Sequence, residues 1–349
     1  MGSARDVVVI GASAGGVEAL RGLVGALPGD LPAAVCVVLH IPREGHSALA
    51  AILTRSGRIP AREAVDGERL AAGRIYVAPA DRHLLVVDHR VRLSRGPSEN
   101  GHRPAVDPLL RSAARAIGPG VIGVVLSGSR DDGTAGLASV VARGGLAFAQ
   151  DPDEALQPSM PRSALEYVPA AVPLPVADIA RRINQLVRER AEKSAPPVDA
   201  LLIAETDMAD MAPIGADELS IRPAGLGCPA CHGALFELPG EPAPRYRCRV
   251  GHAWSPDTLI DEQGTALDEA LWTALRALEE KAALSWRMSE RFGLRGNSIS
   301  MRRYASMAVE ADDAAKIIRD LLTRHVPQTE PREPGSIEAS DVGGSDGDA

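Results

Sequence analysis

From residue 6 to about 190, short apolar runs alternate with longer stretches whose apolar residues recur at helical spacing. The runs are "DVVVI", "AAVCVVLH", "GRIYVAP", "LLVVDHRVRL", "VIGVVLSG" and "GLAFAQ". The helical stretches between them are "GGVEALRGLVGAL", "GHSALAAILTRSG", "DPLLRSAARAIG" and "AGLASVVARG". Alternation of this kind predicts an α/β fold, doubly wound around a mostly parallel sheet, in which strands buried on both faces read as continuous aliphatic runs. "LLVVDHRVRL" alternates instead, so it reads as a hairpin that adds antiparallel strands. A linker poor in periodicity, with one short helix in "DALLIAETDMADM", is expected at 194–225, and a small Cys/His segment at 226–262. A helical hairpin turning at "GLRGN" is expected over 263–325, with an apolar seam through Leu267, Leu271, Leu275, Leu278 and Ala282 on one helix. On the other it runs through Tyr304, Met307, Ala311, Ala315, Ile318 and Leu322. Packing of the two seams on each other is the plain reading, and a docking or dimer surface the sharper one. The acidic end, 326–349, holds few large apolar residues and is expected to be disordered.

Composition narrows the function. The 349 residues are 45% hydrophobic, 24% charged and only 3% aromatic, which suits an aliphatic globular core. A net charge of -8, without a basic run beside stacking aromatics, argues against a nucleic-acid groove. No signal peptide and no span-length apolar run is present, so a cytoplasmic protein without membrane insertion is expected.

The stretch "VVVIGASAGG" invites two readings. A dinucleotide loop needs a second glycine where Ser13 stands, and an acidic residue ending the next strand, which ends instead in His40. A phosphate loop needs a lysine that is missing. Gly11-Ala12-Ser13-Ala14-Gly15 does match G-x-S-x-G, a turn that exposes a serine hydroxyl. Three apolar runs end at or just before Ser13, His40 and the Asp131-Asp132 pair. In an open parallel sheet those ends share one edge, and serine, imidazole and carboxylate are what a serine hydrolase needs there. The Ser, His, Asp order and the first-strand serine exclude an α/β-hydrolase.

These residues carry a family resemblance. "VVVIGASAGGVEAL", "VVLHIP", "VDGERLAAGRIYVAPADRHLLV", "PAVDPLLRSAA", "GVVLSGSRDDGTAGL" and "GGLAFAQDPDEALQPSMP", in that order, resemble the catalytic domain of the CheB protein-glutamate methylesterases. The resemblance covers about residues 4–190. It implies Ser13 as nucleophile, His40 as base and then acid, and Asp132 rather than Asp131 as the orienting carboxylate, since Gly133 sets the register of the family's Gly-Met-Gly-x-Asp-Gly pattern. It further implies hydrolysis of glutamate γ-methyl esters on methylated chemoreceptors, releasing methanol through an acyl-enzyme, without a catalytic cofactor. Glutamine deamidation is a side activity in some members. Oxyanion donors are expected from the backbone of Gly128-Ser129-Arg130 and from the helix N-terminus at Ser13. Ser129 and Arg130 depart from the family's Met-Gly, and Ala80 from its glycine. The family's phosphorylatable receiver domain is not expected before the first strand, which leaves control to a separate regulator protein. The alternative is a weakly active or inactive scaffold binding receptor helices or signalling partners.

Cys228-x2-Cys231, sixteen residues, then Cys248-x3-His252 gives two ligand pairs, the pattern of a closed, structural Zn²⁺ site in a zinc-ribbon-like module. His232 is a possible substitute ligand, though its place directly after Cys231 makes the geometry awkward. The expected organisation is a catalytic domain at 1–193, a linker at 194–225, a Cys3His module at 226–262, a helical hairpin at 263–325 and an acidic tail at 326–349.

Overall fold

A computed structural model describes residues 5–44, 47–191, 195–212, 222–240 and 244–325. In chain order, β1 (Val7–Ala12), α1 (Gly16–Ala26), β2 (Ala34–Leu39), α2 (Leu49–Ser56), β3 (Ala61–Glu63) and β4 (Arg74–Val77) come first. They are followed by β5 (His83–Val87), β6 (Arg90–Ser94), α3 (Val106–Ile117), β7 (Val121–Val125), α4 (Thr134–Ala142) and β8 (Leu146–Gln150). Next are α5 (Ser159–Tyr167), β9 (Val172–Leu174), α6 (Val176–Leu186) and α7 (Ala200–Ala209). The C-terminal part holds β10 (Arg222–Gly227), β11 (Ala234–Leu238), β12 (Arg245–Cys248), β13 (Ala253–Trp254), α8 (Pro256–Leu294) and α9 (Ser298–His325).

Seven strands pair in parallel in the order β3-β4-β2-β1-β7-β8-β9, an α/β fold around a parallel sheet. The period-2 alternation of β1 divides the core between its faces. Val8 and Ile10 pack with Leu20 and Leu23 of α1 and with Ile179 and Ile183 of α6. Val7 and Val9 pack with Leu109 of α3, Leu137 of α4 and Met160 of α5. Cys36 of β2 lies in this second layer, where burial pushes its thiol up to about 12, with Glu68 adding to the effect. It fills space as a small hydrophobe.

"LLVVDHRVRL" forms the β5–β6 hairpin, a two-stranded sheet of its own rather than antiparallel strands added to the central sheet, with an antiparallel bridge from Arg90 to Arg69 along its outer side. Asp88 and His89 have φ of 48° and 56°, the left-handed pair that a two-residue hairpin turn requires. The hairpin is fixed from below instead, with Val86 N–H donating to Ser112 Oγ of α3.

The described residues up to 263 form one compact unit and those from 264 to 325 a second. Within 194–225, α7 buries Leu202, Glu205 and Thr206. Asp199 caps it by accepting Leu202 N–H. Strands β10 to β13 form a four-stranded antiparallel sheet. In the second unit, Leu275 of α8 packs with Ala315 and Leu322 of α9, flanked by Leu271, Leu278 and Ile318. The apolar seam is thus used between the two helices, while Leu267 is exposed. The acidic tail at 326–349 lies outside the described residues. Among the described residues no helix is long and apolar enough to cross a membrane.

Candidate active site

The sheet order places β1 between β2 and β7, so the chain winds outward in both directions from β1. The crevice beyond the carboxyl ends of such central strands is where open α/β sheets bind ligands. Ser13 directly follows β1, His40 directly follows β2, and Asp132 lies in the loop after β7. Register brings the first two together: Ala12 pairs with Leu39, and the N–H of His40 donates to the carbonyl of Ala12 at 3.1 Å. On the other side, the N–H of Ser13 donates to the carbonyl of Ser127 at 2.9 Å. Gly15, at φ 72°, supplies the left-handed N-cap directly before α1 begins at Gly16. A side chain at Gly128 would come within 2.9 Å of Ser13 Cβ, so only glycine lets the β7 loop close on the serine.

His40 Nε2 lies 2.7 Å from Asp132 Oδ2, with both side chains buried. The backbone N–H of Val106 donates to the same oxygen at 2.7 Å. Oδ1 accepts from the N–H of Gly133, the N–H of Asp107 and Asn100 Nδ2. Burial alone would raise the Asp132 carboxyl, but the hydrogen bond and charge of His40 and the Val106 N–H hold it well below the usual carboxylate range. An ionised Asp132 accepts, so the proton of the neutral imidazole sits on Nε2. His40 Nδ1 is then a bare lone pair, buried and without a hydrogen bond among the described residues.

Two of the residues around this pair escaped sequence reasoning. His102 stacks on His40 with ring centroids 3.7 Å apart and an interplanar angle of 13°. Burial, and then the neighbouring His40, push it down to about 4, so it stays neutral above that pH. Asn100 is the second, at φ 51°, a conformation that asparagine tolerates better than most residues. The only trace of either in the sequence is the polar "ENGHR" between a hairpin and a helix, which reads as an ordinary loop.

The other half of the Asp-Asp pair points elsewhere. Asp131 Oδ1 accepts from the hydroxyls of Ser255 at 2.7 Å and Thr258 at 3.0 Å. Arg130 adopts φ 66° where the family pattern has glycine, and its guanidinium meets Asp261 at 3.1 Å and Glu262 at 3.0 Å. Two N–H groups at the expected oxyanion positions are already engaged: that of Gly128 donates to the carbonyl of Gln157 at 2.9 Å, and that of Ser13 to the carbonyl of Ser127.

Cys228, Cys231, Cys248 and His252 come together, their ligand atoms all within 4.8 Å of one another. Cys231 Sγ is 3.6 Å from Cys248 Sγ, and His252 Nδ1 is 3.8 Å and 3.5 Å from the sulfurs of Cys228 and Cys248. A cation at ordinary zinc bond lengths has tetrahedral edges of about 3.5–3.8 Å, so the donor set fits a metal ion. Trp254 Nε1 donates to Cys228 Sγ at 3.3 Å, and His232 is exposed, outside the cluster.

A family model described as CheB methylesterase matches residues 8–183. The chain is 41% identical over 183 residues to the Anaeromyxobacter dehalogenans protein named protein-glutamate methylesterase/protein-glutamine glutaminase 2, covering 52% of this chain and 54% of that one. It is 37% identical over 185 residues to a Geobacter metallireducens protein of the same name numbered 1, covering 52% and 51%. The crystal structure of the Thermotoga maritima CheB methylesterase catalytic domain matches with a TM-score of 0.50 and 34% identity, over 52% of this chain and 98% of that one. The chain spans about half the length of these curated relatives.

Proposed function

Because the chain belongs to the CheB methylesterase family through residues 8–183, we propose that it hydrolyses glutamate γ-methyl esters on methylated chemoreceptor-type proteins. The observation that carries this reading is the His40–Asp132 pair beside Ser13, at the ends of three adjacent strands. Ser13 is the nucleophile, His40 the base and then the acid, and Asp132 the carboxylate that fixes the imidazole.

In this mechanism Ser13 Oγ attacks the ester carbonyl carbon while its proton passes to His40 Nδ1. Asp132 stabilises the imidazolium through Nε2–H. The tetrahedral oxyanion is met by backbone N–H groups of Ser129 and of the α1 N-terminus. Collapse breaks the bond to the methoxy oxygen, which takes the proton from His40 and leaves as methanol. Water then attacks the acyl-serine, giving its proton to His40, and the released Ser13 recovers a proton as the glutamate carboxylate departs. The same steps on a glutamine side chain release ammonia. A serine-directed fluorophosphonate should label the full chain, with the adduct on Ser13 by mass spectrometry. Folded protein that takes no label at Ser13 would sink the reading and favour the scaffold alternative.

Cys228, Cys231, Cys248 and His252 are proposed to hold a structural Zn²⁺ in a zinc-ribbon-like module. The support is the fit of their spacing to a closed tetrahedron that leaves no position for a substrate. Ligation would tie the β10–β11 and β12–β13 turns of a sheet whose cluster of buried side chains is small. Purified protein should carry stoichiometric zinc, and chelation should expose the β10–β13 amides to hydrogen exchange. Metal-free protein with those amides fully protected would contradict it.

A further inference from the structure

Residues 253–262, which leave the Cys3His cluster and run into the first turns of α8, hold the loop bearing Asp132 at three points. At the first, the N–H of Asn100 donates to the Ala253 carbonyl at 2.8 Å, and the N–H of Ser255 donates to Asn100 Oδ1 at 3.0 Å. That fixes the amide orientation which points Asn100 Nδ2 at Asp132 Oδ1, 3.0 Å away. At the second, the hydroxyls of Ser255 and Thr258 both donate to Asp131 Oδ1, and Thr258 is fully buried. At the third, Asp261 and Glu262 take the guanidinium of Arg130.

The second grip is built into a helix start. Ser255 accepts the N–H of Thr258 as the N-cap, with Pro256 at the first helical position, so its hydroxyl and that of Thr258 are presented together on a rigid first turn. The loop these contacts hold is short, includes a non-glycine left-handed residue at Arg130, and carries both the orienting carboxylate and the Ser129 N–H assigned to the oxyanion.

We propose that Asp131 and Asn100 are positioning residues, through which the segment following the Cys3His cluster sets the geometry of the loop that carries Asp132. The proposal rests on the hydrolase reading of Ser13, His40 and Asp132. It makes the C-terminal module part of the esterase, since the loop acquires its working shape only while 253–262 is seated.

The test is the double variant Ser255→Ala/Thr258→Val in the full chain, which removes both hydroxyls at nearly constant volume. The matched control Ser255→Thr/Thr258→Ser keeps them. Misplacement of a reacting group by a fraction of an ångström should lower kcat about tenfold with KM little changed, and the control should recover the wild-type rate. Hydrogen exchange of the amides at 128–134 should quicken in the double variant and not in the control. Wild-type kcat and exchange in the double variant would overturn the proposal, as would a rise in kcat, which would make the contact an inhibitory one. Failure of the hydrolase reading shows separately, as wild-type protein without Ser13-dependent turnover.

Discussion

Asp132→Asn should lower kcat for ester hydrolysis by about ten-thousandfold while the protein stays folded. The reason lies in how the carboxylate is surrounded. Oδ1 faces three donors, from Asn100, Asp107 and Gly133, whereas Oδ2 faces His40 and Val106. An amide keeps its oxygen on the three-donor side, which turns its NH2 toward His40. His40 Nε2 must then accept, moving the ring proton to Nδ1, the one atom that has to be bare to take the proton of Ser13. The Val106 N–H gives up its acceptor, a local cost, and the base is lost. Rates of the two proteins on one ester, with circular dichroism as the control for folding, check this, and retention of a tenth of the wild-type kcat would count against the assignment.

Arg247→Met should destabilise the first unit by about 3–5 kcal/mol, the range for breaking a buried ion pair from one side. Arg247 of β12 donates to Glu99 Oε1 at 3.0 Å and to Glu205 Oε1 at 3.1 Å, and its other amino group donates to the carbonyl of Gly251. Arg111 of α3 also pairs with Glu99, and Arg245 binds both oxygens of Glu205, at 2.7 and 2.9 Å. All but Arg245 are at most 2% exposed. Methionine fills the space of the stem and leaves both carboxylates short of a countercharge. Calorimetry should show the lower unfolding temperature, and a change within error of zero would mean that the cluster adds no net stability.

The same cluster sets a pH dependence. Burial would raise Glu99 and Glu205, but the arginines around each hold both below the ordinary glutamate range. Groups depressed in this way contribute stability above the unfolded value of about 4.3 and lose it as pH falls below. The first unit should therefore weaken steeply under acid, and less steeply in Arg247→Met.

How much of this could be read from the chain depends on the range of each interaction. Strand and helix periods are local, so β1, β2, β4, β7 and β8 stand out in the sequence, as do Ser13 and His40 at strand ends. The edge strands β3 and β9, of three residues each, are too short to show a period. Cysteine spacing is also local, and Cys228, Cys231, Cys248 and His252 meet in one cluster as the spacing suggests. By contrast, Glu99, Glu205 and Arg247 lie 42 to 148 positions apart along the chain and look like surface charges until the fold buries them. Asn100 and His102 are hidden for the same reason: their partners come from the packing of their loop against His40, the Asp132 loop and β13. The Asp131-Asp132 pair divides between two tasks that residue identity cannot distinguish, one carboxylate facing His40 and the other α8.

The most direct test is methanol release from a receptor fragment carrying γ-methylglutamyl residues, with the full chain compared with Ser13→Ala at equal folded concentration. The account predicts release by the wild type and none above background from the variant. Equal release by both would remove Ser13 from the chemistry and contradict the account at its centre.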